Sequence, residues 1–153
     1  MSEIGYLQDF KTQMVKFIDE LIEQFPQEAI FVLIRIFIKD KIPLADVLGR
    51  FMRDCLPYKD FVEKKDELFF LNSDIIYQAY VNDDVDQEDE DLNRFRQLWK
   101  SDQLDDDDRD VIWSWMDLFF KLAYSYYKKF GCVDGWEFNL EDSVKSINEQ
   151  LSK

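Results

Sequence analysis

The residues best suited to chemistry stand in QLDDDDRDVIWSWMDLFF, residues 103–120, where Asp105, Asp106, Asp107 and Asp108 directly precede one of the most aromatic runs in the chain. Clustered carboxylates can hold a divalent cation, attract a basic partner, or fill the first turn of a helix, where free amides and the helix dipole favour negative charge. Spacing tests the first option. A calcium loop of the EF-hand type alternates its oxygen ligands, places glycine sixth and ends on a glutamate at the twelfth position. Counted from Asp84, residues Asp86 and Glu88 fit, but Asp89 occupies the sixth position and Phe95 the twelfth. Counted from Asp105, Arg109 intrudes at the fifth. Neither run has the spacing of a calcium loop, and no metal or cofactor is expected.

Other reactive constellations fail sooner. The chain has no histidine, which removes the commonest general base near neutral pH and the commonest metal ligand. No glycine-rich phosphate loop, GxSxG elbow or zinc spacing occurs. Gly131 and Gly135 are spaced as in a helix-pairing motif but enclose Cys-Val-Asp, not a membrane helix. The expectation is a protein that is not an enzyme. Cys55 and Cys132 are isolated in sequence, as small apolar fillers in a reducing compartment would be.

The formal charge of −14 is unevenly placed. Residues 83–91 carry seven acids and no base, and residues 101–110 carry six acids and Arg109, so the two runs hold −12 and the remainder only −2. The pattern is an ordinary domain with an acidic ridge, whose candidate residues are Asp84, Asp86, Glu88, Glu90 and Asp105 to Asp108. A phosphate backbone requires a basic patch, so direct nucleic-acid binding is not expected. Basic proteins are the partners such a ridge would draw.

These groups must be positioned by helices. With four glycines and three prolines in 153 residues, the chain is poor in the turns an all-β sandwich needs. The reading is all-α, one compact domain over 1–153 with about six to eight helices, an acidic loop at 82–91, and a connector with a packing helix at 131–153. Leu7, Phe10, Met14, Phe17, Ile18, Leu21, Ile22 and Phe25 form one helical stripe ending near Pro26. Residues 29–38 are apolar on all sides except Arg35, which suits a central buried helix; the alternating Ile30, Val32, Ile34, Ile36 and Ile38 also suit a strand. Pro43 opens a helix carrying Leu44, Val47, Leu48, Phe51 and Met52, and residues 58–72 read as a charged helix with Phe61, Val62, Leu68 and Phe69 inward. Ser73 and Asp74 could cap a short helix through Tyr80.

Leu92, Phe95, Leu98 and Trp99 mark another short helix. The longest helix then follows, with Val111, Trp115, Leu118, Phe119, Leu122 and Tyr126 on one face and Gly131 just past its end. Last, Asn139 heads a helix whose Leu140, Val144, Ile147 and Leu151 keep a narrow stripe, suited to docking on a groove of this domain or of a partner. Trp113, Tyr124 and Tyr127 fall off the main stripe, and with Trp136 they are candidate protein-interaction residues, since exposed aromatics concentrate at interfaces. The alternative is that flanking layers cover them.

Four strings, FKTQMVKFIDELIEQFP (10–26), IRIFIKDKIP (34–43), LPYKDFVEKKDELFFL (56–71) and FRQLWKSDQLDDDDRDVIWSWMDLFFKLAYSYYK (95–128), resemble a family of small uncharacterised proteins of nucleocytoplasmic large DNA viruses, relatives of the phycodnaviruses and mimiviruses. The resemblance spans roughly residues 8–130 and carries no catalytic residues with it. It implies a viral protein, either a minor virion component or a factor of the infected cell's cytoplasm or virus factory, and not a secreted one. The start of the chain lacks a secretory pattern, and the apolar run 29–38 is too short to span a bilayer. Two functions follow as expectations. The first is protein binding through aromatic and apolar helix faces; the second is an acidic regulator that engages histone-like proteins or mimics nucleic-acid charge.

Overall fold

Two helices that lie far apart in sequence, run antiparallel and share a ring-filled seam organise the molecule. The structure, a computed structural model, describes residues 1–67 and 94–151, with only the backbone of Leu151. Expectations for Leu68, Phe69, the cap at Ser73 and Asp74, the acidic loop 82–91 and Leu92 lie outside the described residues. Among those described, every regular element is helical, and the fold is all-α.

Helix α1 spans Glu3–Gln24. Ser2 Oγ accepts the Gly5 amide at 3.0 Å and so caps its start, while Pro26 follows its last turn. Helix α2, Ala29–Ile36, resolves the ambiguity over 29–38 in favour of helix and continues into a wider π-helical turn, Phe37–Lys41. The Ile42 amide reaches back to the Phe37 carbonyl at 2.8 Å, and Ile42 itself is extended, as a residue before proline must tend to be. Pro43 then starts α3, Leu44–Asp54, followed by a 3-10 turn at Leu56–Tyr58 and by α4, Lys59–Glu63. Residues 94–100 form α5; α6 is Asp106–Phe130 and α7 is Leu140–Leu151.

The core is one cluster. Phe119 of α6 lies 5.8 Å from Phe10 and 5.5 Å from Phe17 of α1, and Tyr126 lies 6.0 Å from Tyr6, centroid to centroid. From α3, Phe51 packs 5.1 Å from Phe10 and 5.0 Å from Phe120. Most of these rings meet edge-on or tilted, which satisfies their quadrupoles and adds about 0.5–1.5 kcal/mol per pair beyond burial. The α1 and α3 stripes read from the sequence face this core as expected: Leu7, Phe10, Met14, Phe17, Ile18, Val47, Leu48, Phe51 and Met52 are all buried.

Three expectations need correction. The central helix is α6, not α2, because α6 touches α1, α3, α4 and the 3-10 turn. Its buried residues are accordingly Ile112, Trp113, Met116, Phe119, Phe120, Ala123 and Tyr126, spread over more than one stripe, while Val111 is half exposed at 50%. Trp115, Leu118 and Leu122 are only partly covered. Second, α2 is buried on one side alone, through Phe31. Third, the helix expected over 58–72 is interrupted after Glu63, and residues 68–72 lie outside the described residues. Lys65 adopts φ 52°, with its amide on the Val62 carbonyl at 3.0 Å and the Asp66 amide on the Phe61 carbonyl at 3.0 Å. That pair of bonds is a Schellman ending, here with lysine in the left-handed position usually held by glycine.

Candidate interaction surface

The aspartates that open the argument belong to the start of α6. Asp105 is its N-cap: Asp105 Oδ1 accepts the Asp108 amide at 2.8 Å, and Asp108 Oδ2 accepts the Asp105 amide at 3.1 Å. Two of the four carboxylates are thereby committed to the reciprocal box that satisfies otherwise unpaired amides. Asp106 meets Arg109 at 3.3 Å, and Asp107 projects into solvent. Arg109 turns back to the Trp99 carbonyl at 2.9 Å, tying α5 to α6. Among the described residues no group of three or more acidic or thiol side chains converges to hold a metal ion. Asp84, Asp86, Glu88 and Glu90 lie outside the described residues.

The aromatic candidates are engaged within the chain. Trp113 is buried, in correction of its expected exposure, and stands edge-on to Trp99 at 5.8 Å and 83°. Tyr124 is half-buried between Lys59 Nζ at 4.9 Å and Lys128 Nζ at 5.9 Å. Tyr127 lies 5.4 Å from Phe138 of the connector. Trp136 crosses α3: its Nε1 donates to Asp46 Oδ1 at 2.9 Å, and the guanidinium carbons of Arg50 and Arg53 sit 5.2 Å and 4.5 Å from its centroid. Gly49 makes that crossing possible, since a Cβ there would meet Trp136 Cδ1 at 2.5 Å and Cγ at 2.8 Å. Flanking layers therefore bury Trp113 and partly cover Tyr124, Tyr127 and Trp136, and the connector is clipped onto the domain. The last helix is docked too, against the 3-10 turn, with Leu140, Val144 and Ile147 half-buried and Asn139 Oδ1 accepting the Asp142 amide at 3.0 Å.

Two buried ionisable groups among the described residues, Cys55 and Tyr126, are held in their neutral forms. Burial pushes the Cys55 thiol well up, which keeps it protonated and inert. Burial, reinforced by the hydrogen bond it donates to Glu3 Oε1 at 2.8 Å, pushes the Tyr126 phenol well up as well. Tyr6 is shifted down by its hydrogen bond with Ser125, at 2.7 Å, and by Lys129.

The surface that departs from a satisfied fold is one that the sequence pattern did not single out. On the outer side of α2, Val32, Leu33 and Ile36 are 42%, 41% and 41% exposed, and Ala29 continues their stripe at helical spacing. The helix lies antiparallel along α1, held by Phe31 against Phe25, by the Arg35–Asp19 ion pair and by Lys11 Nζ on the Lys39 carbonyl at 3.1 Å. Glu28, at its start, pairs with Arg94 of α5. The signal was present: a short helix that is apolar all round is either enclosed or presents a face to something else. A second exposed group, Met1, Ile4 and Phe130, lies at the other end of α1, where Phe130 already packs on Tyr6 and Tyr126. Among the described residues no helix is long and apolar enough to cross a membrane.

Compared with models of known protein families, with curated proteins and with solved structures, the chain finds no match.

Proposed function

We propose that this chain is a non-enzymatic helical protein whose work is protein binding, and that the outer face of α2 does it. The observation that carries this reading is the exposure of Val32, Leu33 and Ile36 side by side on a helix held against α1. Scattered exposed apolar residues are ordinary on a soluble surface, whereas a contiguous stripe is characteristic of interfaces. Trp113 is buried and Tyr124, Tyr127 and Trp136 are partly covered by contacts within the chain, so the reading places binding on α2 in preference to α6. Resemblance of the four sequence strings to viral proteins supplies the setting, a minor virion component or a factor of the infected cell.

The acidic-regulator reading draws less support, since Asp105 and Asp108 are occupied by the helix cap. Salt separates the two. Capture through α2 persists at high ionic strength, while capture through exposed aspartates weakens because their field is screened over about 8 Å at physiological salt. The test compares immobilised full-length protein with Leu33→Lys and, as a control at another exposed apolar site, Val111→Lys. Binding lost in the first, kept in the second and indifferent to salt supports the reading. Identical behaviour of all three proteins refutes it.

A further inference from the structure

The C-terminal segment is held to the domain at few points. Among the described side chains of residues 131–150 only Val133 is buried, and Leu140, Val144 and Ile147 of α7 are half-covered. No ion pair among the described residues joins this segment to the rest of the chain. Trp136 acts as its latch, through the bond to Asp46 at 2.9 Å and the guanidinium groups of Arg50 and Arg53 on its ring. Even there closure carries a penalty. Arg50 Nε, beside the indole, is buried with no hydrogen-bond partner, and an unsatisfied donor disfavours the state that buries it.

Within itself the segment is well tied. Cys132 Sγ donates to the Phe138 carbonyl at 3.2 Å and accepts the Phe138 amide at 3.4 Å, closing the connector into a loop. Inside that loop the Trp136 amide reaches the Val133 carbonyl at 2.9 Å, and the Gly135 amide reaches Glu137 Oε1 at 3.0 Å. Asn139 then caps α7 directly. All these bonds travel with the segment. Its junction with α6 is free to turn, because Gly131 stands at φ 79° and a methyl there would meet nothing within 4 Å. We infer that residues 131–151 form a strap that lifts from the domain as one unit, pivoting at Gly131, while α1, α3 and α6 stay folded. Elements with few buried apolar contacts open at free energies below that of global unfolding. Lifting takes Trp136 off Gly49, gives Arg50 Nε access to water, and uncovers the side of the 3-10 turn on which α7 lies. The motion leaves α2 seated on α1.

Native-state hydrogen exchange of the full chain in low, increasing urea tests this. Amides of the connector and α7 are expected to share one urea-dependent isotherm, at lower free energy than the amides of α1 and α6. A lock then tests the unit. A Cβ at Gly49 stands 3.2 Å from Trp136 Cβ, near the roughly 3.5–4.5 Å that a disulfide spans. Gly49→Cys with Trp136→Cys therefore bridges strap and domain, in a Cys132→Ser background that keeps a donor and acceptor inside the loop. Oxidised, this protein is expected to exchange its α7 amides at least about tenfold more slowly than its own reduced form, although the bridge lies ahead of α7. Wild-type exchange of α7 on the same isotherm as α1 and α6 overturns the inference, as does residue-by-residue exchange without urea dependence, which is fraying. An oxidised bridge that leaves α7 exchange unchanged overturns it too, since α7 then moves without the connector. If the bridged variant fails to fold, the wild-type isotherms decide.

Discussion

Replacing Gly49 with alanine sets two effects of opposite sign against each other, and the structure decides between them. In an ordinary helix interior the change stabilises by about 1 kcal/mol, because glycine gives up more backbone freedom on folding. Here the new methyl would stand 2.5 Å from Trp136 Cδ1 and 3.2 Å from its Cβ, atoms near the root of the side chain that cannot swing aside while the ring stays in place. The indole must leave α3. With it go the hydrogen bond to the Asp46 carboxylate, of a kind worth about 1.5–3 kcal/mol, and two cation–π contacts of about 0.5–1 kcal/mol each at a partly exposed site. A loss near 3 kcal/mol against a gain near 1 leaves Gly49→Ala about 2 kcal/mol less stable than the parent. The sign inverts once the obstacle is gone: in a Trp136→Ala background the same change stabilises by about 1 kcal/mol. Urea unfolding followed by far-ultraviolet circular dichroism measures all four proteins. Stabilisation of the parent by Gly49→Ala, or an equal loss in both backgrounds, refutes the reasoning.

Three further outcomes are expected. Lys65→Gly relieves the left-handed position that ends α4 and, because Lys65 is exposed, loses no packing; urea unfolding should show a gain of about 0.5–1 kcal/mol. Asp105→Ala removes the capping oxygen and costs about 1–2 kcal/mol, whereas Asp107→Asn stays within about 0.5 kcal/mol of the parent; equal effects would mean that the box does not form in solution. The Tyr126 phenol is raised in the fold, so its contribution is complete below the unfolded value of about 10 and is lost as pH rises beyond it. Tyr126→Phe should therefore blunt the alkaline fall in stability seen by pH-dependent urea unfolding, and an unchanged fall would assign it to another group.

Much of this fold is legible in the residues. The α1 stripe from Leu7 to Ile18 and the α3 stripe from Val47 to Met52 repeat at helical spacing because each helix packs one face, and Pro26 and Pro43 mark their limits. Asp105 to Asp108 read as a helix start from their place before an apolar run, the structure making Asp105 the cap, and Gly131, at φ 79°, takes the positive dihedral expected at the end of α6. The stripe of α6 was misread for a physical reason. A helix packed on several sides is apolar on several sides, so a search for one face among Val111, Ile112, Trp113, Trp115, Met116, Leu118, Phe119 and Phe120 has no unique answer. The apolar run of α2 invited the opposite error, since composition says that a helix can be buried and not whether a neighbour arrives to bury it. Trp136 over Gly49 joins residues far apart in sequence, and no local pattern announces it. Lys65 shows no sequence cue either, because its conformation is imposed by the two carbonyls that its ending satisfies.

The pairing of α1 with α6 has a consequence for how the chain is made. Trp115 Nε1 donates to Glu20, 95 positions away in sequence, and Tyr126 donates to Glu3, 123 positions away. A ribosome adding about 5–20 residues each second needs about 5–20 s to cover the shorter of those separations. For that interval Phe10 and Phe17 of α1 have no Phe119 to receive them, and the contacts that close the core must bear the entropy of a very long loop before any reward arrives. Among the described residues, α2, the π-helical turn and α3, translated soon after, can shelter the α1 stripe meanwhile. The nascent chain thus passes through a stage in which an aromatic seam is half built and exposed. Chains halted ahead of residue 106 should engage chaperones that finished molecules ignore.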